Sequence, residues 1–147
     1  MRNHHYALGG ALLITLAMPW TLAAAADLNA PIDIQAVQLQ PQEQNGVRYV
    51  QGGIGQDEAN ALRKTTGYDL HVELSTGPQG KFQSGATVDI QNAQGQPVLS
   101  VMDAGPLLYV QLPAGKYKVT GTAQGATTQQ WVTVNGKAPT TVNLNWR

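Results

Sequence analysis

The second half of this chain alternates between apolar and polar residues with a period of two, and this pattern restricts it to β-structure. Leu70, Val72 and Leu74 alternate with polar neighbours, which places the apolar side chains on one face of a strand. Turn signals such as Asn135-Gly136 separate similar runs. These runs lie at residues 86–90, 97–102, 108–112, 117–119, 127–134 and 142–146. The spacing predicts a mainly β fold, an antiparallel sandwich of about seven strands.

One segment, residues 56–66, departs from this period and has a helical pattern. Acidic residues occupy its first turn and basic residues its last, as the helix dipole favours, and Gly67 follows as a natural terminator. We expect one short helix, amino-terminal to the sandwich, that lays Ile54, Ala61 and Leu62 against a sheet.

The first 26 residues have the pattern of a leader for export. Arg2 precedes an uncharged apolar run over residues 6–18, Pro19 breaks that run, and four alanines end at Ala26. This predicts a signal peptide, residues 1–26, cleaved after Ala26. The leader is just long enough to span a bilayer, but its strongly apolar part is short and its end suits cleavage. We therefore expect no stable membrane anchor after cleavage and a periplasmic or secreted protein.

The segment that follows the leader, residues 27–46, is rich in glutamine, asparagine and proline and contains no aromatic residue. Its composition predicts a flexible amino-terminal arm. The alternation of Ile32 and Ile34, then of Val37 and Leu39, with polar residues leaves an edge strand open as an alternative. Residues 47–51 are a short strand candidate. Residues 47–147 then form one domain, a helix plus a β-sandwich, which is large enough for a single core.

Charge and cysteine content exclude several classes of function. The chain has nine basic and nine acidic residues and no cysteine. Without a basic surplus, neither nucleic acid nor an anionic membrane surface is an expected partner. Without cysteine there is no disulfide, lipoprotein anchor, thiolate nucleophile or cysteine-ligated metal. We expect no cofactor and no metal.

The segment Leu112-Pro113-Ala114-Gly115-Lys116-Tyr117-Lys118-Val119 resembles the LPxGxYxV signature of carboxypeptidase regulatory-like domains. These domains are prealbumin-like (transthyretin-like) sandwiches with an immunoglobulin-like arrangement. The preceding hairpin, residues 88–98, is similar as well, so the resemblance covers about residues 68–146. It implies that Pro113 ends a strand, Gly115 turns the chain, and Tyr117 buries its ring while its hydroxyl finds a partner at the edge. The motif points to a fold and hardly to a function.

Upstream, residues 49–58 are similar to the amino-terminal part of a group of small exported bacterial proteins that join such a helix to the same sandwich. The glycines at residues 52–55 could cradle a phosphate at the helix N-terminus. However, no Lys-Ser/Thr pair follows them, and Asp57 and Glu58 occupy the position that an anion would take. We interpret this segment as a turn that leads into an ordinary helix.

His71 is the one histidine outside the predicted leader, and it lies between Asp69 and Glu73 at a spacing of two. On a strand, all three side chains point the same way, which suggests a metal site or a pH-responsive patch. Residues two apart on a strand are about 7 Å apart, however, which is long for sharing one ion. We therefore expect a solvated strand face.

No catalytic residues are predicted. Outside the leader the serines are Ser75, Ser84 and Ser100, and none lies in a nucleophile elbow. The transthyretin-like fold also includes hydrolases of a purine-breakdown intermediate, but these depend on several histidines. The prediction is a protein that is not an enzyme, the alternative being a hydrolase or metal-dependent protein centred on His71.

Trp131 and Tyr109 are the candidate ligand-binding residues. If the alternating valines and leucines beside them face the core, both rings face outward and could form a platform for sugars or proteins. The competing interpretation, which we favour, is that the helix packs over the sheet and covers them. The predicted function is an exported, non-enzymatic binding or accessory module with a protein, peptide or glycan partner in the cell envelope. A carbohydrate- or peptide-binding protein that uses these two aromatics is the alternative.

Overall fold

In the computed structural model, which describes residues 37–147, the chain forms a β-sandwich with one helix. The elements in chain order are β1 (Gln42–Gln44), β2 (Val47–Gly52), α1 (Gln56–Lys64), β3 (Leu70–Thr76), β4 (Lys81–Phe82), β5 (Ala86–Asn92), β6 (Pro97–Ala104), β7 (Leu107–Val110), β8 (Gly115–Ala123), β9 (Ala126–Val134) and β10 (Thr140–Trp146). The mainly β fold class is confirmed. The strands number ten, because β1 and β4 add to the seven predicted runs and to the strand candidate at residues 47–51, which is β2. No helix within residues 37–147 is long and apolar enough to cross a membrane.

The strands form two sheets. The six-stranded sheet has the order β1-β2-β7-β3-β10, with β4 also paired to β3, and the four-stranded sheet has the order β6-β5-β8-β9. Pairing is antiparallel except between β3 and β10, which run parallel from the Leu70–Thr140 pair to the Thr76–Trp146 pair. This parallel pair departs from the all-antiparallel prediction. No hairpin joins β3 to β10, because the chain reaches β10 from β9, at the neighbouring edge of the four-stranded sheet.

The end of the predicted flexible arm is a strand. Gln42–Gln44 pairs antiparallel with β2, so the prediction of an arm is wrong for this part of residues 27–46. The Tyr49 hydroxyl also donates a hydrogen bond to Gln42 Oε1 at 2.8 Å. The predicted signal peptide, and the arm up to residue 36, lie outside the described residues.

The core lies between the two sheets and follows the predicted alternation. Leu70, Val72 and Leu74 of β3 are buried against inward residues of β5, β8 and β10. At the corner before β8, the Tyr117 ring is buried and its hydroxyl donates to the Pro113 carbonyl at 2.8 Å. This contact matches the expectation for Tyr117, because the phenol needs a partner where the ring enters the core.

Side chains close one open side of the sandwich, where β1 and β2 approach β6. Gln44 Oε1 accepts from the Ser100 N–H at 2.8 Å, and Gln51 Oε1 accepts from the Gly105 N–H at 3.0 Å. These amides lie at the free edge of the four-stranded sheet. The two glutamines therefore occupy backbone donors that would otherwise be open to another strand.

The opposite side, where β9 approaches β10, is closed in the same way. Trp146 Nε1 donates to the Ala126 carbonyl at 3.0 Å, Gln130 Nε2 to the Asn143 carbonyl at 2.8 Å, and Thr140 Oγ1 to the Thr133 carbonyl at 3.1 Å. The two edge strands of the four-stranded sheet, β6 and β9, thus both form hydrogen bonds with side chains or backbone of the other sheet. This leaves less backbone for strand addition at either edge.

Helix α1 covers the outer face of the six-stranded sheet. Ala59 and Leu62 pack with Val50, Leu107 and Tyr109 in a second, smaller core. All four residues of β7 are consequently buried, because alternate side chains face the sandwich core and the helix. The predicted stripe is wrong at Ile54, which precedes the helix and is 80% exposed.

Candidate functional site

The outer face of the four-stranded sheet carries no helix in the part of the chain that the structure describes. Its outward side chains form rows across the strands, because residues paired in register lie side by side. One row consists of Pro97, Gln91, Lys118 and Trp131. The next row consists of Ser100, Asp89, Thr120 and Gln129, and a third consists of Thr87, Thr122 and Thr127. The face is therefore dominated by hydroxyl and amide groups, with one indole.

The residues of the first two rows other than Trp131 line a shallow depression of about 340 Å³ that crosses the strands. We call this depression, together with Trp131 at its end, the transverse trough. Four strands are spaced about 4.8 Å apart, so the trough is roughly 14 Å long. Between β6 and β5, the Ser100 hydroxyl donates to Asp89 Oδ1 at 2.6 Å. The remaining carboxylate lone pairs of Asp89 can accept hydrogen bonds from a bound molecule.

Trp131 is the exposed aromatic of this face. It lies on the edge strand β9, and 52% of its surface is exposed. Lys116 Nζ lies 5.1 Å from the centre of its ring, and Lys118 Nζ lies 5.9 Å from it. Each exposed cation–π contact contributes about 0.5–1 kcal/mol, which is enough to bias the position of the indole. The ring is thus an oriented apolar surface beside a row of polar side chains.

Tyr109 does not join this surface, so the interpretation of Tyr109 as an exposed ligand-binding residue is wrong. Its side chain does point away from the sandwich core, as the alternation predicts, but it points under helix α1 and is only 2% exposed. The prediction that the helix covers the aromatic ring is confirmed for Tyr109 and wrong for Trp131. The two rings lie on opposite sheets, because β7 belongs to the six-stranded sheet and β9 to the four-stranded sheet.

His71 is also not on a solvated face, which corrects the prediction for this residue. Its ring stacks on Tyr109 with centroids 3.7 Å apart and planes 5° apart, and Nε2 is buried without a hydrogen-bond partner. Burial lowers the pKa of His71 below its ordinary value, against the opposing effects of a backbone hydrogen bond at Tyr68 and the charge of Glu73. A neutral imidazole is therefore favoured under the helix.

The proposed grouping of His71 with two carboxylates is not present. Asp69 precedes β3, and its Oδ2 accepts from the Leu112 N–H at 3.0 Å, so it serves a turn at the sandwich edge. Within residues 37–147, no three histidine, aspartate or glutamate side chains lie close enough together to hold a metal ion.

The glycine segment before α1 binds its own acid instead of a free anion. Glu58 Oε2 accepts from the Gly53 N–H at 3.0 Å, which confirms the interpretation of this segment as a turn rather than a phosphate cradle. A Cβ atom at Gly52 would lie 2.5 Å from the Glu58 carboxyl carbon, so a larger residue there would have to displace the Glu58 side chain from this position.

A second depression, of about 510 Å³, lies on the other sheet beside β3 and β10. There the buried Ser75 hydroxyl donates to Asn143 Oδ1 at 2.9 Å and accepts from Asn145 Nδ2 at 2.9 Å. Asn145 Nδ2 also donates to the Gly77 carbonyl at 3.1 Å. These groups largely satisfy one another, which indicates a structural role in fixing the ends of the parallel pair. This network was not predicted from the sequence, because Ser75 and Gly77 lie about 70 residues before the asparagines that they contact.

Comparison with models of known protein families finds no match, and comparison with curated proteins finds no similar sequence. The function is therefore argued from the geometry of the transverse trough.

Proposed function

We propose that this protein is a non-enzymatic, glycan-binding module of the cell envelope, and that the transverse trough binds the sugar chain. The observation that carries the proposal is the exposed indole of Trp131 in line with Gln91 and Lys118, beside the row that contains Asp89. A sugar presents an apolar ring face and a rim of hydroxyl groups. An aromatic plane flanked by amide, hydroxyl and carboxylate groups complements both features.

A glycan is favoured over an extended peptide because of the sheet edges. Peptides commonly bind such folds by adding a strand to an exposed edge. Here Gln44 and Gln51 accept hydrogen bonds from backbone N–H groups on β6 and directly after it, and Trp146 donates to a carbonyl of β9. Both edges of the four-stranded sheet are therefore partly occupied. The open surface is instead the face of the sheet, where a chain of rings can lie across the strands.

The proposed location and family rest on separate support. The leader pattern of residues 1–26 supports export, and the mature protein is expected to begin at Asp27. Membership of the carboxypeptidase regulatory-like domains is supported by the corner at Pro113 and Tyr117, whose hydrogen bond suits the LPxGxYxV motif. Mass spectrometry of the periplasmic fraction tests export. Recovery of the intact chain in the membrane pellet would contradict it.

The binding proposal is tested by screening neutral and acidic oligosaccharides against the wild-type protein, followed by calorimetric titration of those that bind. Trp131→Ala is expected to weaken binding by at least about tenfold, or about 1.4 kcal/mol. Phe82→Ala is the matched control, because Phe82 is also an exposed aromatic, 45% exposed, with Arg63 5.6 Å from its ring centre, but lies on the other sheet. Equal losses in the two variants, or binding that is unchanged in Trp131→Ala, would overturn the assignment of the trough.

A further inference from the structure

The two lysines on β8 make one end of the transverse trough basic. Lys116 and Lys118 are two residues apart and therefore point to the same face of the strand. Both ammonium groups approach the Trp131 ring, at 5.1 and 5.9 Å from its centre. Two positive charges are thus concentrated around the one aromatic surface of this face.

The middle of the trough has the opposite character. Asp89 lies on β5, in the row next to Lys118, and its carboxylate already accepts from the Ser100 hydroxyl. A uniformly charged polyanion would meet this carboxylate and be repelled. A chain that carries its negative charge at the Trp131 end and neutral hydroxyl groups over Asp89 matches both parts of the trough.

From this distribution of charge we propose that the ligand is an acidic glycan, with a carboxylate-bearing sugar unit at Trp131, Lys116 and Lys118 and a neutral unit over Asp89. The inference rests on the proposed glycan-binding function and names the class of glycan. A neutral sugar at Trp131 competes with the ammonium groups for the indole. A sugar acid pairs with those groups and still contacts the ring.

The test is calorimetric titration with two oligosaccharides that differ only in charge. The first alternates uronic acid and neutral sugar units, and the second is the same oligomer with its carboxylates reduced to alcohols. Wild type is expected to bind the acidic oligomer at least about tenfold more tightly, with a preference that declines as salt is added. The double variant Lys116→Gln/Lys118→Gln is expected to lose this preference, measured as the ratio of its dissociation constants for the two oligomers.

The matched control is Lys81→Gln/Lys137→Gln, which removes the same charge from β4 and from the loop after β9. It is expected to keep the preference for the acidic oligomer. Thermal unfolding of both double variants checks that these surface substitutions leave the fold intact.

The outcomes separate the inference from the function on which it rests. Equal binding of the two oligomers by wild type would overturn the acidic class and leave glycan binding in place. Binding of neither oligomer, nor of any other screened sugar, would overturn the proposed function itself. Tighter binding of a sulfated neutral oligomer would overturn the assignment of a carboxylate. Equal binding of polyglutamate, with the same dependence on both lysines and Trp131, would identify an acidic peptide instead and overturn the inference.

Discussion

At the scale of single residues, Tyr109 and Trp131 show how one pattern leads to different environments. Both rings point away from the sandwich core, as alternation requires. Tyr109 meets the apolar side of helix α1, including Leu62, and is buried. Trp131 has the ammonium groups of two lysines near its ring but no covering helix, and it stays accessible. Accessibility, and with it any role in binding, depends on the neighbouring element and not on the strand itself.

Tyr117 allows the contribution of its hydroxyl to be separated from that of its ring. Tyr117→Phe removes the bond to the Pro113 carbonyl and is expected to lower the free energy of unfolding by about 0.5–1.5 kcal/mol. Tyr117→Ala also empties the core position and is expected to cost about 3–5 kcal/mol. Urea denaturation measures both values. Equal stability of the two variants would contradict this division.

His71 makes stability depend on pH. Because folding lowers its pKa below the ordinary 6.5, the unfolded chain binds the proton more readily. The contribution is therefore present above pH 6.5 and is lost as pH falls through the lowered pKa. Wild type is expected to lose more unfolding free energy between about pH 7.5 and 5.5 than His71→Gln does. An identical loss in both proteins would show that the imidazole titrates as it does in the unfolded chain.

At the scale of elements, the helix and β7 depend on each other. A nine-residue helix is too short to be stable alone in water, so α1 is held by the apolar surface beneath it. That surface consists of Val50, Leu107 and Tyr109, which would otherwise be exposed on the outer face of the sheet. The helix therefore completes the six-stranded sheet, and the four-stranded sheet keeps its polar outer face.

Leu62 and Ile54, two large aliphatic residues of the predicted stripe, allow a direct comparison of a buried and an exposed side chain. Leu62→Ala is expected to lower the free energy of unfolding by about 2–5 kcal/mol, since Leu62 is fully buried against β2 and β7. Ile54→Ala is expected to change it by about 0.5 kcal/mol or less, because its side chain is solvent-exposed. Chemical denaturation distinguishes the two. A large loss of unfolding free energy in Ile54→Ala would show that Ile54 packs against the sheet, as the sequence pattern predicted.

At the scale of the whole molecule, the two sheets approach closely where a small residue on one sheet packs against a large residue on the other. Gly121 lies on β8 opposite the indole of Trp146, and a Cβ atom there would lie 2.8 Å from Cζ2 of that ring. Trp146 in turn donates across the gap to the Ala126 carbonyl. The end of the last strand is thus held to the four-stranded sheet by this close contact and this hydrogen bond, in addition to the bonds that Gln130 and Thr140 make further along the strand.

Gly121→Ala is therefore expected to destabilise the protein by about 1–3 kcal/mol through overpacking, and to shift the fluorescence of Trp146. Gly115→Ala on the same strand is the control, since its added Cβ would make only ordinary contacts, 3.6 Å from the Tyr117 ring. Thermal unfolding monitored by tryptophan fluorescence gives both readouts. Equal effects at the two glycines would argue against a tight contact at Trp146.

Several features of the fold were predicted correctly from signals that span only a few residues of the sequence. The period of two in β3, the charged ends of α1 and the corner at Tyr117 each depend on residues a few positions apart, and all three were predicted. The strand predicted at residues 108–112 is β7, whose four consecutive apolar residues, Leu107–Val110, are typical of a strand buried on both faces. Strand β1 was missed because its three residues are all polar and gain their pairing from β2.

The sequence by itself determined that this protein is a β-sandwich with one helix, because alternation, capping and turn residues act over a few positions. Only the tertiary structure decided which sheet the helix covers, and hence that Tyr109 is buried with the half-buried His71 stacked on it, while Trp131 is open. It also decided that Trp131 lies in register with Lys118 and Gln91, in one row that crosses three strands. Contacts of this kind join residues 13 to 40 positions apart, and their free energy depends on packing between elements, which no local pattern encodes.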